Sequence, residues 1–117
     1  MANGWERSYS FVGLISGRWT LRLFGELTLG GRRYQDLHRA MGGVSHKVLT
    51  DTLRSAERDG LVLRRLDPER TGTTNLYELT ELGKSLDGPL AVLQRWVEAN
   101  WHLVEGARRS WSARTES

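Results

Sequence analysis

Ser45-His46-Lys47-Val48-Leu49-Thr50-Asp51-Thr52-Leu53-Arg54-Ser55-Ala56-Glu57-Arg58-Asp59-Gly60 separates into two faces when wound as an α-helix. Leu49, Leu53 and Ala56 fall on one side, and Ser45, His46, Lys47, Thr50, Asp51 and Arg54 on the other. Ser45 reads as the cap, because its hydroxyl can accept from a free amide of the first turn, and Gly60 reads as the stop. The outward set gathers polar donors at a helix N-terminus, where unpaired amides and the helix dipole favour an anion. Ser45, His46, Lys47, Thr50 and Arg54 are therefore the candidate nucleic-acid-reading residues. A solvated helix face has the same composition, so the neighbouring elements decide between the two readings.

Upstream, Leu37, Ala40 and Met41 recur at helical spacing over 35–41, and Gly42-Gly43 ends that run. Two short helices joined by Gly42-Gly43-Val44 make a helix-turn-helix. Arg32-Arg33-Tyr34 is long enough for a single sheet rung. Over 19–29, Trp19, Leu21, Leu23, Phe24, Leu27 and Leu29 predict a largely buried core helix ended by Gly30-Gly31. The apolar run 9–15 predicts a short helix stopped by Ser16-Gly17.

Downstream, 61–66 and 74–79 read as strands on either side of Asp67-Pro68-Glu69-Arg70-Thr71-Gly72-Thr73, a run rich in turn formers. That is a hairpin with an extended tip, a wing. Arg64, Arg65 and Arg70 lie on or near it, as phosphate or minor-groove contacts or as solubilising charge. Arg32, Arg33 and Arg18 can each touch phosphate or pair with a nearby acid. Thr80 caps a further helix, Asp87-Gly88-Pro89 interrupts it, and a last helix runs over 90–104. On that helix Leu90, Leu93, Val97, Trp101 and Val104 form one stripe with Trp96 beside it. The sequence predicts frayed ends at 1–8 and 107–117.

Composition narrows the chemistry. The 117 residues fit one domain with one core, without room for a separate catalytic domain. No cysteine is present, so disulfides, thiolate metal sites and thiol nucleophiles are excluded. The net charge of +3 favours an anionic partner. Of the 17 basic residues only Lys47 and Lys84 are lysine, and the planar fork of arginine suits phosphates and guanine edges. His38, His46 and His102 have no metal-ligand spacing, and neither a Gly-rich phosphate loop nor a nucleophile elbow occurs. The expectation is a non-enzyme without cofactor or metal. The N-terminus has no apolar signal stretch and no run suits a membrane span, which predicts a cytoplasmic protein.

Five ordered stretches resemble the HxlR-type winged-helix regulators. Ser16-Gly17-Arg18-Trp19-Thr20-Leu21 is similar to their Gly-basic-Trp element, and Arg33-Tyr34-Gln35-Asp36-Leu37 to their Arg-aromatic-x-acid-Leu element. The run from Val44 to Leu53 resembles their recognition helix. Glu57-Arg58-Asp59-Gly60-Leu61-Val62 and Tyr77-Glu78-Leu79-Thr80-Glu81-Leu82-Gly83 resemble the helix exit and the strand-to-helix join, and Trp96 falls where the last helix often carries Trp. The similarity spans about residues 9–97. It implies a mainly α fold with a small β-hairpin (α+β), a winged helix-turn-helix. It further implies a bacterial homodimer, joined through its first and last helices, that binds a near-palindromic operator in double-stranded DNA and represses or activates nearby genes. Phe11, Leu14, Leu90, Leu93, Trp96, Val97, Trp101 and Val104 are the expected dimer residues. Two features depart from the family: the cysteine that many members carry near the N-terminus is missing, and Thr71-Gly72-Thr73-Thr74-Asn75 replaces the usual Pro-rich approach to the second wing strand.

Two further expectations remain. A winged-helix module for protein contacts would also display polar helices and apolar stripes, but Lys47, Thr50 and Arg54 suit DNA better than a protein groove. Trp5, Trp96, Trp101 and Trp111, four of the five tryptophans, lie in the terminal segments. They can fill a dimer core or line a pocket for a small apolar or aromatic effector.

Overall fold

The computed structural model describes residues 4–15, 17–69 and 74–116. Ser16, half of the expected stop after the first helix, lies outside the described residues, as do Arg70 and the rest of the wing tip at 71–73. The element order is α1 (Gly4–Ile15), α2 (Arg18–Leu27), β1 (Arg32–Arg33), α3 (Tyr34–Ala40), α4 (His46–Arg58), β2 (Val62–Leu66), β3 (Asn75–Leu79), α5 (Glu81–Lys84) and α6 (Asp87–Glu116). The fold is mainly helical, with one small antiparallel sheet. Its contacts divide into two units, Met1–Lys84 and Ser85–Ser117.

In the first unit α2 packs against α1, α3, α4 and β3. Leu23, Phe24 and Leu27 of α2 meet Leu37, Met41 and Val44 from around the helical turn, Leu49, Leu53 and Ala56 from α4, and Leu61, Val62 and Leu79 from the sheet; all are buried. The amphipathic reading of 45–59 holds, since its three predicted inward residues are core. The expectation of a largely buried core helix over 19–29 is corrected in part. Leu21 is exposed because the partners of α2 cover only the face that carries Leu23, Phe24 and Leu27, and Leu29 is exposed because the helix ends at Leu27, two residues before it.

The sheet has the order β1-β3-β2, with Arg32 opposite Tyr77, Arg64 opposite Tyr77 and Val62 opposite Leu79. Arg32-Arg33 thus supplies the expected single rung, while Tyr34 begins α3. At the base of the wing the Asp67 amide donates to the Thr74 carbonyl at 2.9 Å, and Asp67 Oδ1 accepts from the Glu69 amide at 2.9 Å. The side chain therefore stabilises the turn that Pro68 opens.

Both ends of α4 are sealed by local chemistry. Ser45 Oγ accepts from the Val48 amide at 3.1 Å. At the far end Gly60 has φ +76°, its amide bonds the Glu57 carbonyl at 3.0 Å, and the Leu61 amide bonds that of Ala56 at 2.9 Å. These are the paired bonds of a Schellman motif, whose left-handed residue is best glycine. Thr80 caps α5, accepting from the Gly83 amide at 3.0 Å and donating to the Gly60 carbonyl at 2.6 Å.

The second unit is dominated by α6, which extends beyond the expected 90–104 at both ends. Asp87-Gly88-Pro89 does not interrupt the helix but forms its first turn, where a proline's missing amide leaves no bond unmade. Gly106 does not stop it either. One glycine costs about 1 kcal/mol in a helix interior, and the segment beyond is held by side-chain contacts. The Arg108 guanidinium lies 5.0 Å from the Trp101 ring and that of Arg114 5.6 Å from the Trp111 ring. Similarly, α1 begins at Gly4, with Glu6 in its first turn, so 4–8 is helical.

Candidate nucleic-acid interface

The outward face of α4 carries the predicted set at its capped end: Ser45, His46, Lys47 and Arg54 are exposed and Thr50 is half-buried. Lys47 Nζ lies 2.8 Å from Asp51 Oδ2, one helical turn on. The hydrogen bond and charge of Asp51 raise the Lys47 ammonium above its ordinary value, and the same bond, with the charge, holds the Asp51 carboxyl below its own. Exposed pairs of this kind contribute little stability and exchange readily for other partners. Among the described residues Arg54 makes no hydrogen bond or ion pair. It lines an open cleft of about 200 Å³ between α4 and the sheet, with Tyr34, Thr50, Leu53, Glu57, Arg64 and Tyr77.

The other predicted cations are mostly engaged. Arg64 pairs with Glu57 of α4 at 3.6 Å, and Arg65 with Glu78 across the wing at 2.9 Å. The Glu78 hydrogen bond raises Arg65 above its ordinary value. Arg32 is 3.2 Å from Glu26 and Arg33 is 3.3 Å from Asp36, which also binds Arg39 at 2.6 Å. The Arg39 hydrogen bond is the main reason the Asp36 carboxyl lies below its ordinary value. Pairing with a nearby acid is thus what these arginines do in the free protein. The sheet alternation explains the division on the wing, since Arg64 turns toward α4 and Arg65 to the opposite face.

Tyr34 and His38 join the site although the sequence assigns neither a nucleic-acid-reading role. The Tyr34 hydroxyl is 2.9 Å from His46 Nδ1 and 3.4 Å from Thr50 Oγ1. The His38 and His46 rings stack with centroids 3.9 Å apart. A four-residue spacing that places Tyr34 and His38 on one face of α3 was the available signal, obscured because Tyr34 reads as part of a strand.

Of the expected dimer residues, Leu93, Trp96 and Trp101 are 52%, 57% and 42% exposed, and Val97 is also exposed. Leu90, Val104 and Phe11 are half-buried, and the side chain of Leu14 lies outside the described residues. Among the described residues no group of three or more His, Asp or Glu could hold a metal ion, and no helix is long and apolar enough to cross a membrane.

A capped polar helix preceded by a short helix and followed by a β-wing defines a winged helix-turn-helix regulator. The HxlR-like helix-turn-helix family model matches residues 14–105, and the chain belongs to that family. It is 35% identical over 94 residues to the HTH-type transcriptional regulator YtfH of Escherichia coli, covering 80% of this chain and 74% of that one. It is 37% identical over 93 residues to YtcD of Bacillus subtilis, an HTH-type transcriptional regulator, covering 80% and 73%. Among solved structures, a MarR-family transcriptional regulator from Enterococcus faecalis superposes with a TM-score of 0.75 at 33% identity, over 92% of this chain and 96% of that one. The redox regulator HypR in its reduced form gives 0.74 at 27%, over 86% and 98%. The family and these relatives are transcriptional regulators, not enzymes.

Proposed function

We propose that this protein is a cytoplasmic, homodimeric repressor that reads a near-palindromic operator with Ser45, His46, Lys47, Thr50 and Arg54 in the major groove. The observation that carries the proposal is the polar, exposed face of α4 at its Ser45-capped end, with Arg54 free of a hydrogen bond or ion pair among the described residues. Arg70, and Arg64 and Arg65 once their carboxylate partners exchange for phosphate, supply backbone contacts from the wing; Arg32 and Arg33 do so from β1. The exposed Leu93, Trp96, Val97 and Trp101 support pairing of two copies through α6, with α1 contributing Phe11 and Leu14. The same tryptophans give a planar apolar ligand a surface on which to stack, and repression is relieved by such an effector when it favours one spacing of the two recognition helices.

Gel-shift titration against promoter fragments flanking the chromosomal gene tests the central claim. Specific retention by the wild type, weakened by about 1–3 kcal/mol on Arg54→Ala, is the expected result. Retention of no fragment would leave the fold serving protein contacts instead. Candidate effectors are titrated while tryptophan emission and operator affinity are followed together; quenching with unchanged affinity would remove the effector.

A further inference from the structure

Three rings meet where α3 faces the first turn of α4. His38 and His46 stack 5° from parallel, and Tyr34 lies beside His46 with centroids 5.7 Å apart and planes 15° from parallel. The Tyr34 hydroxyl lies 2.9 Å from His46 Nδ1 and 3.2 Å from the His46 carbonyl oxygen. A phenol has one proton to give and lone pairs to accept with, whereas a carbonyl only accepts. Both bonds form together only if the phenol donates to the carbonyl and accepts from Nδ1–H. In the neutral imidazole the proton then sits on Nδ1, and Nε2 is left as an acceptor on an exposed side chain of the reading face.

This matters because Lys47 and Arg54, the cations of the outward set, can only donate, which suits guanine O6 and N7, while the one carboxylate there, Asp51, is held by Lys47 at 2.8 Å. An acceptor instead needs a base that donates into the major groove, and only the exocyclic amines of cytosine and adenine do so. We propose that Tyr34 is a positioning residue that fixes the tautomer of His46, so that His46 Nε2 selects cytosine or adenine and rejects guanine and thymine at its base. The stack on His38 fixes the plane of the ring, and the phenol fixes its proton. The inference rests on the DNA-reading role of α4 proposed above.

The test titrates a retained operator fragment, substituted one base pair at a time, with wild type, Tyr34→Phe and His46→Ala at fixed salt. At one position per half-site the wild type should prefer cytosine or adenine over guanine by about fivefold, the effect of one net hydrogen bond. His46→Ala should erase that preference. Tyr34→Phe keeps the ring but frees the tautomer, so it should erode the preference at that position alone, with all others intact. Uniform weakening at every position, or a wild-type profile, would overturn the role of Tyr34. If Tyr34→Phe does not fold, His46→Gln serves instead: its amide can donate as well as accept, so the rejection of guanine at that position should be relieved, and guanine still disfavoured by the wild-type factor would overturn the proposal. A wild type that discriminates at other positions but not at this one overturns the inference alone. One that discriminates nowhere overturns the DNA-reading function itself.

Discussion

A β-carbon on Gly83 would be driven into the carbonyl oxygen of Leu61, where α5 passes against the start of the sheet. Backbone cannot rotate away as a side chain can, so Gly83→Ala should destabilise the fold by about 1–3 kcal/mol, the usual cost of overpacking. Chemical denaturation measures this, and an unchanged midpoint would contradict the geometry. Gly83 was visible in the sequence only as part of a family-like stretch; its reason is the close approach of a backbone 22 residues away, which no local pattern encodes. Arg54 is the opposite case, since helical spacing alone places it outward. Arg54→Ala should weaken the operator complex by about 1–3 kcal/mol and relax specificity at one base, whereas Arg70→Ala should weaken all sequences evenly. Titrations at fixed salt with matched and altered fragments separate the two effects.

Helix α4 shows how far an element can be read from its own residues. Its cap, its Schellman stop and its buried face all follow from short-range chemistry, and Ser45→Ala should cost about 1 kcal/mol of stability through the lost bond to the Val48 amide. Thermal unfolding measures that loss. The Lys47–Asp51 pair adds a pH dependence with a definite sign. Asp51 is held below its ordinary value of 3.8, so its contribution to stability is present above that pH and is lost as pH falls through the lowered value. Lys47 is raised above 10.5, so its contribution is present below that pH and is lost as pH rises through the raised value. Asp51→Asn should flatten the acid limb of a stability–pH profile, and an unaltered limb would show that the pair adds nothing. Helix α6 shows the limit of the same method. Pro89 and Gly106 are conventional breakers, yet Pro89 lies in the first turn and Gly106 is spanned by the contact of Arg108 with Trp101.

For the whole molecule, the exposed Leu93, Trp96, Val97 and Trp101 of α6 predict the state in which the protein works. Sedimentation should show a homodimer at micromolar concentration, and Leu93→Glu should yield monomers that no longer retain the operator, because a two-fold dimer sets its recognition helices about 34–36 Å apart or a multiple of that. A wild type that sediments as a monomer would refute this. The order of elements, the turn glycines, the two faces of α4 and the family were determined by the sequence alone, because periodicity and capping act over a few residues. Which cations are already partnered was decided only by the tertiary structure. Arg64 meets Glu57 and Arg65 meets Glu78 because sheet register and helix packing bring distant residues together. In the same way Tyr34 reaches His46, 12 residues on, only because the turn between α3 and α4 folds one helix against the other. Spacing along a chain records what a helix or strand will be; pairing of charges and rings across elements depends on where packing sets them down.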